Sequence, residues 1–288
     1  MKDYHVHYYL DSCARDEMTF PNIEKRCLEL GIDEITVLKH YSHSLPNGER
    51  DWVFWHTIKN EEWVKFLNEY AAYKPEKLII RSGVETELCN EKGDINIPPE
   101  EQKKIDMCAL SVHYMINLDC CEMDFLLYPN LNFCPGHNNE EGMRLREEWK
   151  HKVESVGPEK MITGLVNGYI NAIKRNPKVK TLAHMYDGLL PLRTYFCDVD
   201  SLGESKCVEL LEPLMKIAAE YGVLWELFGD GVVNEKILLR ANEMGVRFCA
   251  TADGHMLKDG WGPLDNLKRA EDFIDRLGLN RGTVDFSR

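Results

Sequence analysis

Seven short runs rich in apolar, β-branched and aromatic residues recur along the chain, separated by stretches with a different pattern. The runs are DYHVHYY, EITVLKHYS, KLIIRSGVETEL, CALSVHYMI, VKTLAHMY, VLWELFG and RFCATADGH. Their length and composition predict β-strands. Because the first run begins at residue 3 and the last ends at residue 255, the predicted strands extend over almost the whole chain.

Amphipathic helical patterns lie between these strands. Apolar residues there recur about every three to four positions, which places them on one face of a helix. Four such faces are Ile23, Cys27 and Leu30; Val208, Leu211, Met215 and Ala218; Ile237, Ala241 and Met244; and Leu267, Ala270, Ile274 and Leu277. A glycine closely follows each face, at Gly31, Gly222, Gly245 and Gly278. Because glycine suits the left-handed backbone that ends many helices, these positions predict helix ends.

Strict alternation of strands and helices predicts a parallel sheet. Seven strand–helix units most readily close into an α/β barrel of the TIM type, which is the predicted fold. An open, doubly wound sheet is the alternative, but no G-x-G-x-x-G turn follows the first strand to indicate a dinucleotide site. We expect one domain over residues 1–288, with insertions at about 41–60 and 117–148 that build a substrate pocket, a lid or an oligomer contact.

Charge and composition disfavour several classes of function. The chain has 48 Asp and Glu against 35 Lys and Arg, a net charge of −13, which makes nucleic acid an unfavourable partner. A small anionic substrate stays compatible with this charge if a local cation site attracts it. No run of about 18 apolar residues and no signal-peptide pattern is visible, so we expect a cytoplasmic protein without a membrane partner, with reduced cysteines. The oligomeric state stays open.

Histidines concentrate at the carboxyl ends of the predicted strands. Six of the ten lie there, on five different strands: His5, His7, His40, His113, His184 and His255. Alternation along the first strand points His5 and His7 to the same face. In a parallel barrel the active site forms at this end, because the strand-to-helix loops converge there. One such histidine is more often a core or capping residue, but six together predict a metal centre.

Carboxylates complete the predicted ligand set. Glu85 and Glu87 share one face of the third strand, and Asp253 and His255 repeat the i, i+2 spacing of the first motif. Six imidazoles and two carboxylates exceed what one tetrahedral zinc ion binds, so this count predicts two or three divalent metal ions. Two cations about 3.5–4 Å apart need a bridging carboxylate, and Glu85 is the candidate for that role.

Taken in order, these motifs resemble the polymerase-and-histidinol-phosphatase (PHP) family. They read HVH, LKH, GVE, SVH, LAH and DGH, on the first, second, third, fourth, fifth and seventh strands. The resemblance implies a distorted (β/α)7 barrel with a di- or trinuclear Zn, Mn or Fe site and, most often, phosphoester hydrolysis. It implies Glu85 rather than Glu87 as a ligand, in the set His5, His7, His40, Glu85, His113, His184, Asp253 and His255.

Two departures from the family pattern lie close to the predicted ligands. Lys39 precedes the second-strand histidine, where family members usually carry Asp or Glu. Cys13 stands where a further His or Asp ligand commonly follows the first motif, and Asp11 and Asp16 are nearby. A Cys13 thiolate would favour zinc at a third site, and an empty third site is the alternative.

A third departure lies on the sixth strand. WELFGD keeps Glu226 but has Phe228 in place of a polar residue. The three departures leave the number of metal ions and the identity of the substrate open.

The predicted function is hydrolysis of a small phosphorylated metabolite by a metal-bridged hydroxide. Metal binding lowers the pKa of water towards about 7, which makes hydroxide available at neutral pH. Asp253 is expected to bind a metal, accept the proton of the water and return it to the leaving group. Arg193 is the best-placed residue to bind the phosphate, and Arg15 is the second candidate. A solvated loop residue is the other interpretation of Arg193.

Two other functions fit the same motifs. The hydroxide could attack a C–N or C–O bond of a non-phosphorylated substrate, and the aromatic stretch 52–56 and the scarcity of basic residues near the site favour this runner-up. A regulatory, metal-binding barrel without catalysis is disfavoured, because no histidine or carboxylate of the family set is missing.

Overall fold

The computed structural model describes residues 1–41, 60–113, 116–121, 140–229 and 234–287. All seven predicted strands are present: β1 Lys2–His7, β2 Glu34–His40, β3 Ile79–Glu87, β4 Met107–Ser111, β5 Val179–Leu182, β6 Leu224–Phe228 and β7 Phe248–Thr251. They form one parallel sheet in the order of the chain. The predicted parallel α/β architecture is confirmed.

Helices surround the sheet. Those in the described residues are α1 Phe20–Glu29, α2 Asn60–Ala72, α3 Pro99–Gln102, α4 Glu140–Val156, α5 Pro158–Arg175, α6 Leu190–Thr194, α7 Glu204–Tyr221, α8 Glu235–Glu243 and α9 Asn266–Leu277, with a 3-10 turn at Val199–Leu202. The four predicted helical faces belong to α1, α7, α8 and α9. The glycines after them have left-handed φ angles, 71° at Gly31, 69° at Gly222, 88° at Gly245 and 63° at Gly278, as expected.

Hydrogen bonds between β1 and the residues just after β7 bring the sheet to a nearly closed barrel. His7 N donates to Gly254 O at 2.8 Å, and Gly254 N donates to His5 O at 3.0 Å. A Cβ atom on Gly254 would lie 2.5 Å from Leu264 Cδ2, so this position favours glycine. The closure places the HVH and DGH motifs side by side.

The barrel interior is apolar towards the amino ends of the strands and polar towards their carboxyl ends. The apolar part consists of Tyr4, Leu38, Met107, Ala109, Ala183, Leu224 and Cys249. Val284 and Phe286 of the C-terminal segment pack against it. The next inward side chains on β2, β4 and β6 follow Leu38, Ala109 and Leu224 by two residues. They are polar and buried: His40, Ser111 and Glu226. A polar cluster therefore lies on an apolar floor.

A larger core fills the space between the outer face of the sheet and the helices. It includes Ile35 and Val37 of β2 and Ile23 of α1. The outward side chains of β2 thus pack on helices, while Leu38 and His40 face the interior, as the period of two requires. Among the described helices, none combines the length and the apolar composition that a membrane span requires.

The predicted insertions are described only in part. Residues 42–59, with the aromatic stretch 52–56, and residues 122–139 lie outside the described residues. Residues 140–148 are helical, because they belong to α4. The expected pocket, lid or oligomer contact stays a prediction.

Candidate metal centre

All eight predicted ligands lie in one cluster at the carboxyl end of the barrel, and we refer to them as the histidine cluster. Glu85 is at its centre, with 1% of its surface exposed. The distances from its carboxylate oxygens to imidazole Nε2 atoms are 3.4 Å for His5, 3.3 Å for His7, 3.4 Å for His40, 3.3 Å for His113 and 2.9 Å for His184. One carboxylate therefore faces five imidazoles that come from four other strands.

Asp253 is the second carboxylate of the cluster. Its Oδ1 atom is 3.3 Å from His5 Nε2 and 3.4 Å from His7 Nε2, and these two nitrogens are 3.2 Å apart. The His255 ring stacks on the His7 ring with centroids 4.1 Å apart. Lone pairs of nitrogen and oxygen repel at such distances in a dry site unless protons or a cation lie between them. The geometry therefore fits a site for cations.

Buried acceptors hold the other ring nitrogen of several of these histidines. The pairs are His5 Nδ1 with Glu226 Oε2 at 2.8 Å, His7 Nδ1 with Asp11 Oδ2 at 3.1 Å, His255 Nδ1 with the Asp253 carbonyl oxygen at 2.7 Å, and His113 Nδ1 with Glu87 Oε1. An acceptor at Nδ1 favours the tautomer with its proton there, which frees the Nε2 lone pair. This arrangement is typical of metal-binding histidines.

The carboxylates shift the pKa values of the histidines they contact. Burial alone would lower the pKa of His5, but Glu226 and Glu85 outweigh it and raise the pKa well above its usual value. Burial would likewise lower the pKa of His113, but Glu87 and Glu85 raise it to about 9. Protons on these rings compete with metal ions for the same lone pairs, so metal binding should strengthen as the pH rises.

Three residues in the loops of the cluster have backbone conformations that non-glycine residues rarely adopt. Their φ angles are 32° at His184, 49° at Tyr186 and 48° at Asp253. Such conformations cost on the order of 1–3 kcal/mol each and persist where the surrounding structure holds them, most often at functional sites.

Beside the cluster lies a group of four possible donors that includes Cys13. His7, Asp11, Cys13 and His40 each offer an atom within 4.8 Å of the others, and we refer to these four residues as the Cys13 group. Lys39 Nζ is 2.6 Å from Asp11 Oδ1, so this lysine reaches the same place. The structure thus brings Cys13 and Asp11, which the sequence placed near a third metal site, next to two predicted ligands.

A cavity of about 120 Å³ lies beside the cluster. His113 and His184 form part of its wall, and most of the remaining wall is apolar or aromatic, with Tyr169, Met185 and Tyr195. A larger cavity of about 730 Å³ lies near the amino ends of the strands and is lined by none of the eight predicted ligands. The smaller cavity is therefore the one adjacent to the chemistry.

The two candidate phosphate-binding arginines lie in different surroundings. Arg193 is on α6, where Nη1 is 2.7 Å from Asp187 Oδ2 and Nη2 is 3.0 Å from Asp200 Oδ1. Arg15 is exposed in the loop after β1, and its backbone N donates to His255 O at 2.9 Å. Neither arginine is part of the histidine cluster, and binding of phosphate by either one stays a prediction.

The three carboxylates that orient the histidines were noted in the sequence, but this role was not predicted for them. Glu226, Glu87 and Asp11 are buried, and each contacts the Nδ1 atom of a predicted ligand. Glu87, excluded as a ligand on sequence, instead contacts His113. Alternation was a usable signal for Glu87, since it follows Glu85 by two residues on an inward-facing strand.

Solved structures share the fold, among them one from Lactococcus lactis and one from Listeria monocytogenes. Histidinol phosphate phosphatase (HisK) from Lactococcus lactis subsp. lactis Il1403, complexed with zinc, L-histidinol and phosphate, is 12% identical, and the match covers 100% of this chain and 97% of that one with a TM-score of 0.55. A protein of Listeria monocytogenes assigned as the histidinol phosphatase hisK is 15% identical, with 88% and 95% of the two chains covered and a TM-score of 0.58. No protein-family model and no curated protein matches the sequence. At these identities the similarity establishes a common fold.

Proposed function

We propose that the chain is a metal-dependent phosphoesterase of the PHP type that hydrolyses a small phosphorylated metabolite with two divalent cations. The observation that carries this proposal is the buried convergence of imidazole Nε2 atoms on Glu85 and Asp253. The shared fold adds support, because the Lactococcus protein is a phosphatase complexed with zinc and phosphate.

The donor set suits zinc, iron or manganese. Calcium and magnesium prefer oxygen ligands, whereas imidazoles with a few carboxylates suit these transition metals. When bound, the cations would supply an activated water at neutral pH and stabilise charge on the phosphoryl oxygens. Two groups of donors in the described residues give two such cations adjacent places. They are His5, His7 and Asp253, and His5, Glu85 and His184, and they share His5.

Asp253 is the proposed general base and acid. Burial raises the pKa of Asp253, but His255 and His5 outweigh it and keep the carboxylate ionised. An ionised Asp253 can accept the proton of the attacking water and then return it to the leaving oxygen. The φ of 48° at Asp253 holds this side chain next to the two histidines of β1.

The cavity beside His113 and His184 is the proposed place for the organic part of the substrate. Its volume of about 120 Å³ and its wall of Tyr169, Met185 and Tyr195 suit a small group with apolar surface. The apolar floor of the barrel keeps bulk water away from the cluster, and this strengthens the electrostatic interactions within it.

Phosphate release from a panel of phosphomonoesters tests the proposed function. Protein stripped with a chelator and reloaded with Zn, Mn or Fe should release phosphate from at least one small phosphomonoester, and the stripped protein should not. Cleavage of an amide or a carboxylic ester with no phosphate release would favour the runner-up hydrolase. Absence of both activities in fully loaded protein would favour a non-catalytic metal-binding role.

Replacing Glu226 with glutamine is expected to weaken metal binding about tenfold to a hundredfold. Glutamine keeps the size of the side chain but lacks the negative charge that favours a proton on His5 Nδ1. Zinc affinity, measured by competition with a chromophoric chelator, checks the result. Glu34→Gln is a matched control, because Glu34 is a buried glutamate at the opposite end of the barrel that pairs with Lys2. Equal zinc affinity in Glu226→Gln and the parent would contradict the orienting role.

Replacing Arg193 with alanine is expected to lower kcat/KM for a phosphoester about tenfold to a hundredfold, the loss of one charge-assisted pair worth roughly 1.5–3 kcal/mol. Metal content should not change. Arg240→Ala is a matched control, because Arg240 also pairs with two carboxylates, Glu212 and Glu243, but lies on α8. If Arg193→Ala hydrolyses phosphoesters as the parent does, its ion pairs are its whole role, and Arg15→Ala should be measured next.

A further inference from the structure

Lys39 and Asp11 form an ion pair that is buried inside the candidate metal centre. Lys39 Nζ is 2.6 Å from Asp11 Oδ1, and 0% of either side chain is exposed. Lys39 directly precedes His40, and Asp11 Oδ2 is 3.1 Å from His7 Nδ1, so the pair lies between two predicted ligands. An ammonium group in a site for metal cations is unexpected, because like charges repel strongly in a dry interior.

Asp11 uses both of its oxygens as hydrogen-bond acceptors. Besides the Lys39 ammonium and the His7 ring, the backbone N of His40 donates to it, at 3.2 Å from Oδ1 and 3.3 Å from Oδ2. Asp11 thereby connects the loop after β1 to the carboxyl end of β2. The two oxygens of Asp11 are therefore already in contact with three nitrogen atoms, those of the Lys39 ammonium, the His40 backbone and the His7 ring.

The Cys13 group would otherwise be a reasonable metal site. Two imidazoles, a carboxylate and a thiol form a donor set that zinc accepts, and their donor atoms lie within 4.8 Å of one another. A buried carboxylate needs a positive partner in the interior, and either a metal ion or an ammonium group can provide it. In this chain the Lys39 ammonium group is the positive partner of Asp11.

We propose that the Lys39 ammonium takes the place of a metal cation in the Cys13 group and limits the centre to two metal ions. The inference rests on the proposed function, because it requires metal ions in the rest of the histidine cluster. A dication in the Cys13 group would face both the ammonium charge and an Asp11 carboxylate that is already neutralised. Cys13 therefore does not bind metal in this protein, although it lies among potential ligands.

Replacing Lys39 with methionine tests the proposal, because methionine keeps an apolar stem of similar length and removes the charge. Elemental analysis of the zinc-reloaded variant should give about three zinc ions per chain, against about two in the parent. With cobalt in place of zinc, the variant should gain the near-ultraviolet absorption of a thiolate–cobalt bond, which the parent should lack. Adding Cys13→Ser to the variant should remove that absorption.

Two variants serve as controls for this experiment. Lys39→Arg keeps the positive charge and should keep about two zinc ions per chain. Lys178→Met removes a half-buried lysine whose Nζ donates to Ile105 O at the amino end of the barrel, and it should also leave the zinc count unchanged. Thermal denaturation shows whether each variant is folded.

Three zinc ions or a thiolate–cobalt band in the parent would overturn the proposal. A folded Lys39→Met variant that still binds two zinc ions would overturn it as well. If Lys39→Met does not fold, the zinc count and the cobalt spectrum of the parent still test whether the Cys13 group binds a metal ion. A parent that binds no metal would instead overturn the proposed function, so the two failures are distinguishable.

Discussion

Replacing Glu85 with alanine is expected to reduce bound metal to less than one ion per chain and to lower the rate of phosphoester hydrolysis about a thousandfold or more. Glu85 is the carboxylate that faces five imidazoles, and alanine would leave those rings without the negative charge that allows two cations to lie close together. Elemental analysis and phosphate release measure the two effects.

Glu87→Ala is the matched control for this prediction. Glu87 is on the same strand and the same face as Glu85, is equally buried, and contacts the Nδ1 atom of His113 rather than its Nε2 atom. Its loss should weaken metal binding only about tenfold to a hundredfold, the effect of removing one orienting partner. If Glu85→Ala retains both metal ions, Glu85 is not the bridging carboxylate.

Replacing Asp253 with asparagine is expected to lower kcat about 10²- to 10⁴-fold, the usual contribution of a general acid–base residue. Asparagine keeps an oxygen that can contact a metal, but its amide cannot accept the proton of the water. His7→Ala should have the larger effect and abolish turnover, because His7 reaches both Glu85 and Asp253. Both side chains lie at strand ends above the apolar floor, so circular dichroism and Tm should change little.

Asp3→Asn is a useful comparison for Asp253→Asn. Asp3 is also buried and accepts hydrogen bonds from the backbone of His5 and of Ala252, but it belongs to no donor group of the cluster. Burial raises the pKa of Asp3 to about 7, so the amide replaces a group that is already partly neutral. The Asp3→Asn variant should keep most of the activity. Parent-like turnover in Asp253→Asn or His7→Ala would refute the site assignment.

The sequence was sufficient to predict the strands, the barrel and the convergence of the ligands. The strands were recognisable because most of their residues are buried and because apolar, β-branched and aromatic residues are frequent in them. The ligands could be placed together without contact information, since the carboxyl ends of parallel strands meet at one end of a barrel. Helix α5 was not among the predicted helical faces. Its buried face includes Gly164 and Gly168, which have no apolar side chain to mark it in the sequence. A Cβ atom on Gly164 would lie 3.0 Å from the Leu118 side chain, and one on Gly168 would lie 3.0 Å from the Ile116 side chain.

The partners of the ligands could not be predicted in the same way. The contact between His5 and Glu226 joins residues 221 positions apart, and it follows from the closure of the barrel rather than from any local pattern. The pairing of Lys39 with Asp11 depends on how the loop after β1 returns to the end of β2. For Arg193, the nearby Asp187 and Asp200 were visible in the sequence, but their convergence on one guanidinium required the path of α6 and the following turn.

Titration of the metal-free protein with zinc, while phosphate release from an active phosphomonoester is followed, tests most directly whether the histidine cluster is a two-metal catalytic centre. Activity should be absent at the start, rise with added zinc and reach its maximum at about two equivalents per chain. Full activity in protein without metal, or a maximum at one equivalent or less, would contradict the two-metal centre.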